Sequence, residues 1–102
     1  MTRGDVWWLE LPEEGRRPVC VLTRDAALPV LRSVLVAMVT RTVRGIPTEV
    51  RLGPEDGMPT DCAVSLDNLR TVPRTLLTTR VTALTGVRMN DVCRALAVAT
   101  GC

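Results

Sequence analysis

Six consecutive apolar residues, Val34-Leu-Val-Ala-Met-Val39, stand between Ser33 and Thr40. The run is far too short to cross a bilayer as a helix, which takes about twenty residues. It has the length of a strand, and because it offers no polar position to water it predicts a central strand buried on both faces. After Val39 the chain turns abruptly polar through Arg41, Arg44, Gly45 and Pro47. Thr40 therefore sits where a buried strand emerges into a loop, and a hydroxyl there is well placed for a site.

The flanking sequence supplies partners for such a strand. Asp5 to Leu11 alternates with period two, Trp7, Leu9 and Leu11 on one face and Val6, Trp8 and Glu10 on the other, which is a strand whose tryptophans read as packing residues. Pro12 to Pro18 reads as a short exposed loop, followed by a second strand from Val19 to Thr23. Asp25 to Leu31 holds Pro29 and has no clear period. Glu49–Leu52, Cys62–Leu66, Leu69–Val72 and Arg80–Leu84 read as further short strands, with Pro73 preventing a simple continuation and Gly53–Pro59 forming a turn-rich loop. From Gly86 to Ala99 the period changes. Met89, Val92, Cys93 and Leu96 fall at i, i+3, i+4 and i+7, an amphipathic helix with Thr85 as its N-cap. Many short strands and one terminal helix predict an α+β fold, an SH3-like small β-barrel, mostly antiparallel, in one domain spanning residues 1–102.

Composition removes most catalytic schemes. The chain has no His, Lys, Tyr, Phe or Gln, so histidine-based triads and nucleases, Schiff bases and P-loop lysines are unavailable. All 13 basic residues are arginine, and the net charge is +2; an arginine fork suits phosphate well. The four cysteines, Cys20, Cys62, Cys93 and Cys102, show no C-x-x-C spacing. They read as small buried hydrophobes plus one exposed terminal thiol, with no metal site and no disulfide framework. No segment is long and apolar enough for a membrane span and the N-terminus lacks a signal layout, so a soluble, cytoplasmic protein is expected.

In order, Arg3-Gly-Asp-Val-Trp7, Arg17-Pro-Val-Cys-Val-Leu-Thr23, Val39-Thr40, Gly45-Ile-Pro-Thr-Glu-Val50 and Leu69-Arg-Thr-Val72 resemble the MazF/PemK family of bacterial toxin endoribonucleases across nearly the whole chain. The resemblance implies an SH3-like barrel with helices and a homodimer. It also implies metal-independent cleavage of single-stranded RNA at short sequences, leaving a 2′,3′-cyclic phosphate and a 5′-hydroxyl, without any cofactor. Its implied partner is a cognate MazE-like antitoxin. The family's catalytic arginine precedes the proline of the second strand and matches Arg17, with Arg16 a neighbour; its catalytic threonine or serine follows the third-strand apolar run and matches Thr40.

Such a pair makes chemical sense, since attack by a 2′-hydroxyl builds negative charge that arginine and hydroxyl donors can stabilise. Arg41, Arg44 and Arg74 are candidate phosphate contacts. The proton acceptor stays open, because arginine is a poor general base; Glu14 is the nearest carboxylate but reads as a solvated loop residue. The loop from Pro12 to Arg16 is shorter than the family's, so the recognition sequence, and whether messenger, transfer or ribosomal RNA is cut, stay open. Two other functions fit a barrel of this kind. One is a noncatalytic CcdB-like toxin that inhibits DNA gyrase, against which Arg17 and Thr40 speak; the other is an RNA binder without catalysis, which the presence of only two aromatics disfavours.

Overall fold

The period-two segments become six strands, β1 (Asp5–Leu11), β2 (Gly15–Val21), β3 (Ser33–Thr40), β4 (Glu49–Leu52), β5 (Cys62–Pro73) and β6 (Leu77–Ala83), and the 3.6-period segment becomes α1 (Gly86–Thr100). They are seen in a computed structural model that describes all 102 residues. The strands form one antiparallel sheet in the order β4-β5-β3-β2-β1-β6, curled into a half-barrel, with α1 packed against β4 and β5. The expected small antiparallel barrel with a terminal helix therefore holds.

β3 explains why two layers are needed. Ala37 and Val39 join the core beneath α1, with Val6, Cys20, Val64 and Val92. Val34, Val36 and Met38 join a second core on the opposite face, with Leu9, Val19, Leu28 and Leu77. Each fully buried aliphatic side chain contributes about 1.5–3 kcal/mol, so alternate residues of this one strand hold both layers. Leu35, near its start, is the exception and remains 37% exposed.

Several boundaries differ from the sequence reading. β2 begins at Gly15, not Val19: Gly15 turns the chain at φ +83°, and Arg16 and Arg17 pair with Glu10 and Leu9 of β1. A ladder is a backbone property, so charged side chains at the sheet's solvated end do not interrupt it. The segments at 62–66 and 69–72 are one strand, β5, whose register against β3 jumps between Ala37↔Leu69 and Met38↔Ser65. The extra residues bulge out and break the local periodicity. β6 starts earlier than expected, at Leu77. In α1 the Thr85 cap is present, its hydroxyl accepting Arg88 N–H at 3.2 Å. The buried stripe is Met89, Val92 and Ala95, because close approach to the sheet selects the small Ala95. Cys93 turns outward to meet the Arg3 guanidinium at 3.3 Å, so Cys93 and Cys102 are both exposed and only Cys20 and Cys62 are buried. Burial pushes the Cys20 thiol up to about 12, leaving it protonated and inert.

The loop between β4 and β5 is anchored rather than free. After a single 3-10 turn, Pro54–Asp56, Gly57 adopts φ +88°, and any Cβ there would lie 2.4 Å from Thr82 Oγ1. The Thr82 hydroxyl donates to Asp56 O at 3.0 Å. The Asp56 carboxylate accepts Gly53 N–H at 3.0 Å and Arg88 Nε at 2.8 Å, and the Arg88 hydrogen bond holds its pKa below the usual range. Arg88→Met would leave that carboxylate, only 8% exposed, with one backbone donor. The expected cost is about 1–3 kcal/mol, read as a lower Tm. A depressed carboxylate pKa stabilises above its unfolded value, near pH 4, and the benefit disappears as pH falls through the native value. The wild-type advantage over Arg88→Met should accordingly be full at pH 7 and shrink in acid; a gap between the two that persisted undiminished at pH 2 would contradict the assignment.

Candidate active site

The site begins with a missing hydrogen-bond donor. Even-numbered residues at the end of β2 direct their backbone groups toward β3: Leu22 N–H donates to Leu35 O at 2.9 Å, and Cys20 pairs with Ala37. Pro18 is next in that series and has no N–H to offer. The ladder accordingly ends at Val19↔Met38, and beyond it the two strands part. Counted onward in the same register, Arg17 falls opposite Thr40. A cleft of about 310 Å³ opens there, at the lower end of the range for ligand sites (~300–1,000 Å³).

Arg17, Pro18, Val39, Thr40 and Arg41 line the cleft beside β2 and β3, Trp8 and Arg16 extend it along the first hairpin, and Met58, Pro59 and Thr60 from the anchored loop form its far wall, with Cys62 completing it. Three guanidinium groups and no carboxylate face it, which makes it an anion site by composition. Arg17 is exposed and enters no ion pair or side-chain hydrogen bond. The Thr40 hydroxyl accepts Thr42 N–H at 3.1 Å, so its own proton is free to be donated. Glu14 is engaged elsewhere: both its oxygens meet Arg70 of β5, at 3.0 and 3.3 Å. That hydrogen-bonded pairing lowers the Glu14 pKa and raises that of Arg70. Burial, helped by Asp61 and Asp56, pushes the Cys62 thiol up, so it stays protonated at neutral pH.

Of the residues singled out from sequence, Arg17, Thr40 and Arg41 come together in the cleft. Arg44 does not line it; its backbone N–H is tied to Glu49 Oε1 at 2.8 Å in the loop after β3. Arg74 is elsewhere too, its guanidinium donating to the carbonyls of Leu28 and Leu31. Trp7 packs against the second core and donates its indole N–H to Asp5 at 3.3 Å, as a packing residue should. Trp8 is not such a residue: it lines the cleft, with the Arg16 guanidinium carbon 4.1 Å from its ring centroid. Sequence reasoning missed Trp8, Arg16 and the loop wall. The signal for the first two was the tight hairpin, because Leu11↔Gly15 pairing places Trp8 across from Pro18.

Residues 2–100 match the family described as PemK-like, MazF-like toxin of type II toxin-antitoxin system, and the chain belongs to that family. Among individual relatives, the probable endoribonuclease MazF5 of Mycobacterium tuberculosis is 50% identical over 101 residues, covering 98% of this chain and 93% of the relative. The probable endoribonuclease MazF2 of the same species is 42% identical over 103 residues, 100% of each chain. A solved endoribonuclease in complex with its cognate antitoxin, from a mycobacterial species, superposes with a TM-score of 0.90 at 32% identity over 99% of this chain and 95% of that one.

If the absent N–H of Pro18 is what parts the strands, Pro18→Ala should let the ladder extend by one pair. The amide that this substitution introduces should be strongly protected from hydrogen exchange, with Tm unchanged or raised; rapid exchange at that amide would show that something else holds the cleft open.

Proposed function

We propose that this chain is a MazF-type toxin endoribonuclease of a toxin-antitoxin pair that cuts single-stranded RNA at a short sequence, with Arg17 and Thr40 flanking the reacting phosphate. The observation that carries this reading is the register that sets an unpaired guanidinium opposite a hydroxyl with a free proton, in a cleft lined by three arginines. In the reaction the 2′-hydroxyl gives its proton to solvent as its oxygen attacks phosphorus, and the bond to the 5′-oxygen breaks as that oxygen takes a proton from water, leaving a 2′,3′-cyclic phosphate and a 5′-hydroxyl. Charge accumulates on the nonbridging oxygens on the way. The Arg17 fork offers two parallel donors and Thr40 a third, aimed from opposite strands and held by the sheet. Glu14, clasped by Arg70 and lowered in pKa, is poorly suited to accept the 2′ proton. A noncatalytic barrel poisoning DNA gyrase would have no use for this pairing.

The same cleft suits the antitoxin, since a segment carrying carboxylates can occupy arginine sites shaped for phosphate. Salt should weaken that binding. The working unit is a homodimer. Val30, Leu31 and Leu35, exposed at 76%, 42% and 37% within one short stretch, are apolar surface that a second copy could cover.

The test is incubation of the purified protein with total RNA in EDTA, followed by mapping of new 5′ ends. Recurrent cuts in one short sequence are expected. Arg17→Ala and Thr40→Val should each slow cleavage about 10²–10³-fold, the usual effect of losing one donor to developing charge, and Arg17→Lys should recover little. Arg80→Ala, an exposed arginine on β6, serves as the control. Folded Arg17→Ala and Thr40→Val proteins that cut RNA at near wild-type rates would falsify the site.

A further inference from the structure

One aromatic residue in the cleft has no part in the phosphate chemistry. Trp8 sits across from Pro18 on the hairpin, and its neighbour Leu9 sits across from Arg17. Strand alternation starts the indole and the Arg17 side chain on opposite faces of the hairpin, but both reach the cleft at the end of the sheet, where the β2–β3 pairing stops and both line its wall. Unlike Trp7, whose N–H is bound to Asp5, Trp8 has no side-chain hydrogen bond, and it is only half-buried. The guanidinium of Arg16 lies over its ring, while Pro59 and Thr60 stand exposed on the far wall of the same cleft.

We propose that the Trp8–Arg16 stack is a nucleobase platform: the base adjoining the scissile phosphate enters the cleft and stacks on this pair, between it and the Met58–Thr60 wall. The inference rests on the endoribonuclease reading and names how that site takes hold of its substrate. A single strand presents flat bases next to phosphates, and both indole and guanidinium planes are surfaces on which unpaired bases stack. Arg16 already rests against the aromatic face, so part of the ordering is done before RNA arrives. The cleft's size fits one nucleotide unit rather than a long strand. Trp8 and Arg16 are substrate-binding residues, distinct from the two that stabilise charge, and their loss should weaken binding rather than the chemical step.

The experiment separates this from the function itself. Oligodeoxynucleotides lack the attacking 2′-hydroxyl, so they bind without being cut. In the Trp7→Phe protein, where Trp8 is the sole indole, a single-stranded oligodeoxynucleotide should quench the fluorescence saturably. In anisotropy titrations Trp8→Leu should bind the labelled oligonucleotide about tenfold or more weakly, Arg16→Ala less severely, and Trp8→Phe should restore most of the affinity, which a loss of folding would not permit. In cleavage assays Trp8→Leu should raise KM by a similar factor and change kcat less than about threefold. Absence of quenching, or unchanged affinity and KM in Trp8→Leu, overturns the platform even if wild-type protein cuts RNA well. Quenching and the Trp8→Leu loss in a protein that cuts no RNA would overturn the endoribonuclease reading and leave the platform standing.

Discussion

A single absent proton donor organises this molecule's working end. Antiparallel strands zip until a backbone N–H is lacking, and on β2 that happens at Pro18, with β3 still continuing to Thr40. The hydrophobic sheet on one side of that point is rigid because β3 is buried on both faces. On the other side the strands diverge, yet remain in register with everything behind them. Continued one pair beyond Pro18, the register sets Arg17 against Thr40 and both line the cleft, each carried by a strand that cannot shift without disturbing two cores. Preorganisation of this kind is what makes a hydrogen-bond donor effective against charge that exists only transiently.

Electrostatics follow the same division. Two carboxylates near the cleft are already committed, Glu14 to Arg70 and Asp56 to Arg88 and Gly53. Neither of these acids forms an ion pair with Arg16, Arg17 or Arg41, the arginines that line the cleft. The exposed Glu14–Arg70 pair contributes little to stability, but it ties the turn of the first hairpin to β5.

The local pattern of residues was enough to reveal the central strand, the first strand and the terminal helix, because each repeats with its own period over seven or more residues or is wholly apolar. It misplaced the start of β2, since Arg16, Arg17 and Pro18 look like loop and only pairing with β1 makes them strand. It divided β5 at Asp67 and Asn68, where a bulge resets the register. It put Cys93 on the wrong side of α1, because the helix phase is set by how closely Ala95 can approach the sheet. Arg17 and Thr40 could be named through family resemblance, but that they oppose each other is a matter of register, which is nonlocal. The same is true of Trp8, whose parity was readable and whose exposure was not, and of Arg74, whose capture by two carbonyls depends on a distant turn.

The loop that walls the cleft is fastened from behind, by Thr82 of β6 and Arg88 of α1, and takes no part in the β2–β3 ladder. The exposed part of that wall and the strands carrying Arg17 and Thr40 are therefore held by different hydrogen bonds, joined through Met58 in the core. The exposed residues Pro59 and Thr60 can be exchanged without moving the two strands that carry Arg17 and Thr40, provided that Gly57 and Asp56 keep their anchors and Met58 its place in the core beside Val39. A scaffold divided in this way lends itself to diversification, because the rim at Pro59 and Thr60 can change shape, and with it what fits the cleft, while the pairing of β2 with β3 stays as it is.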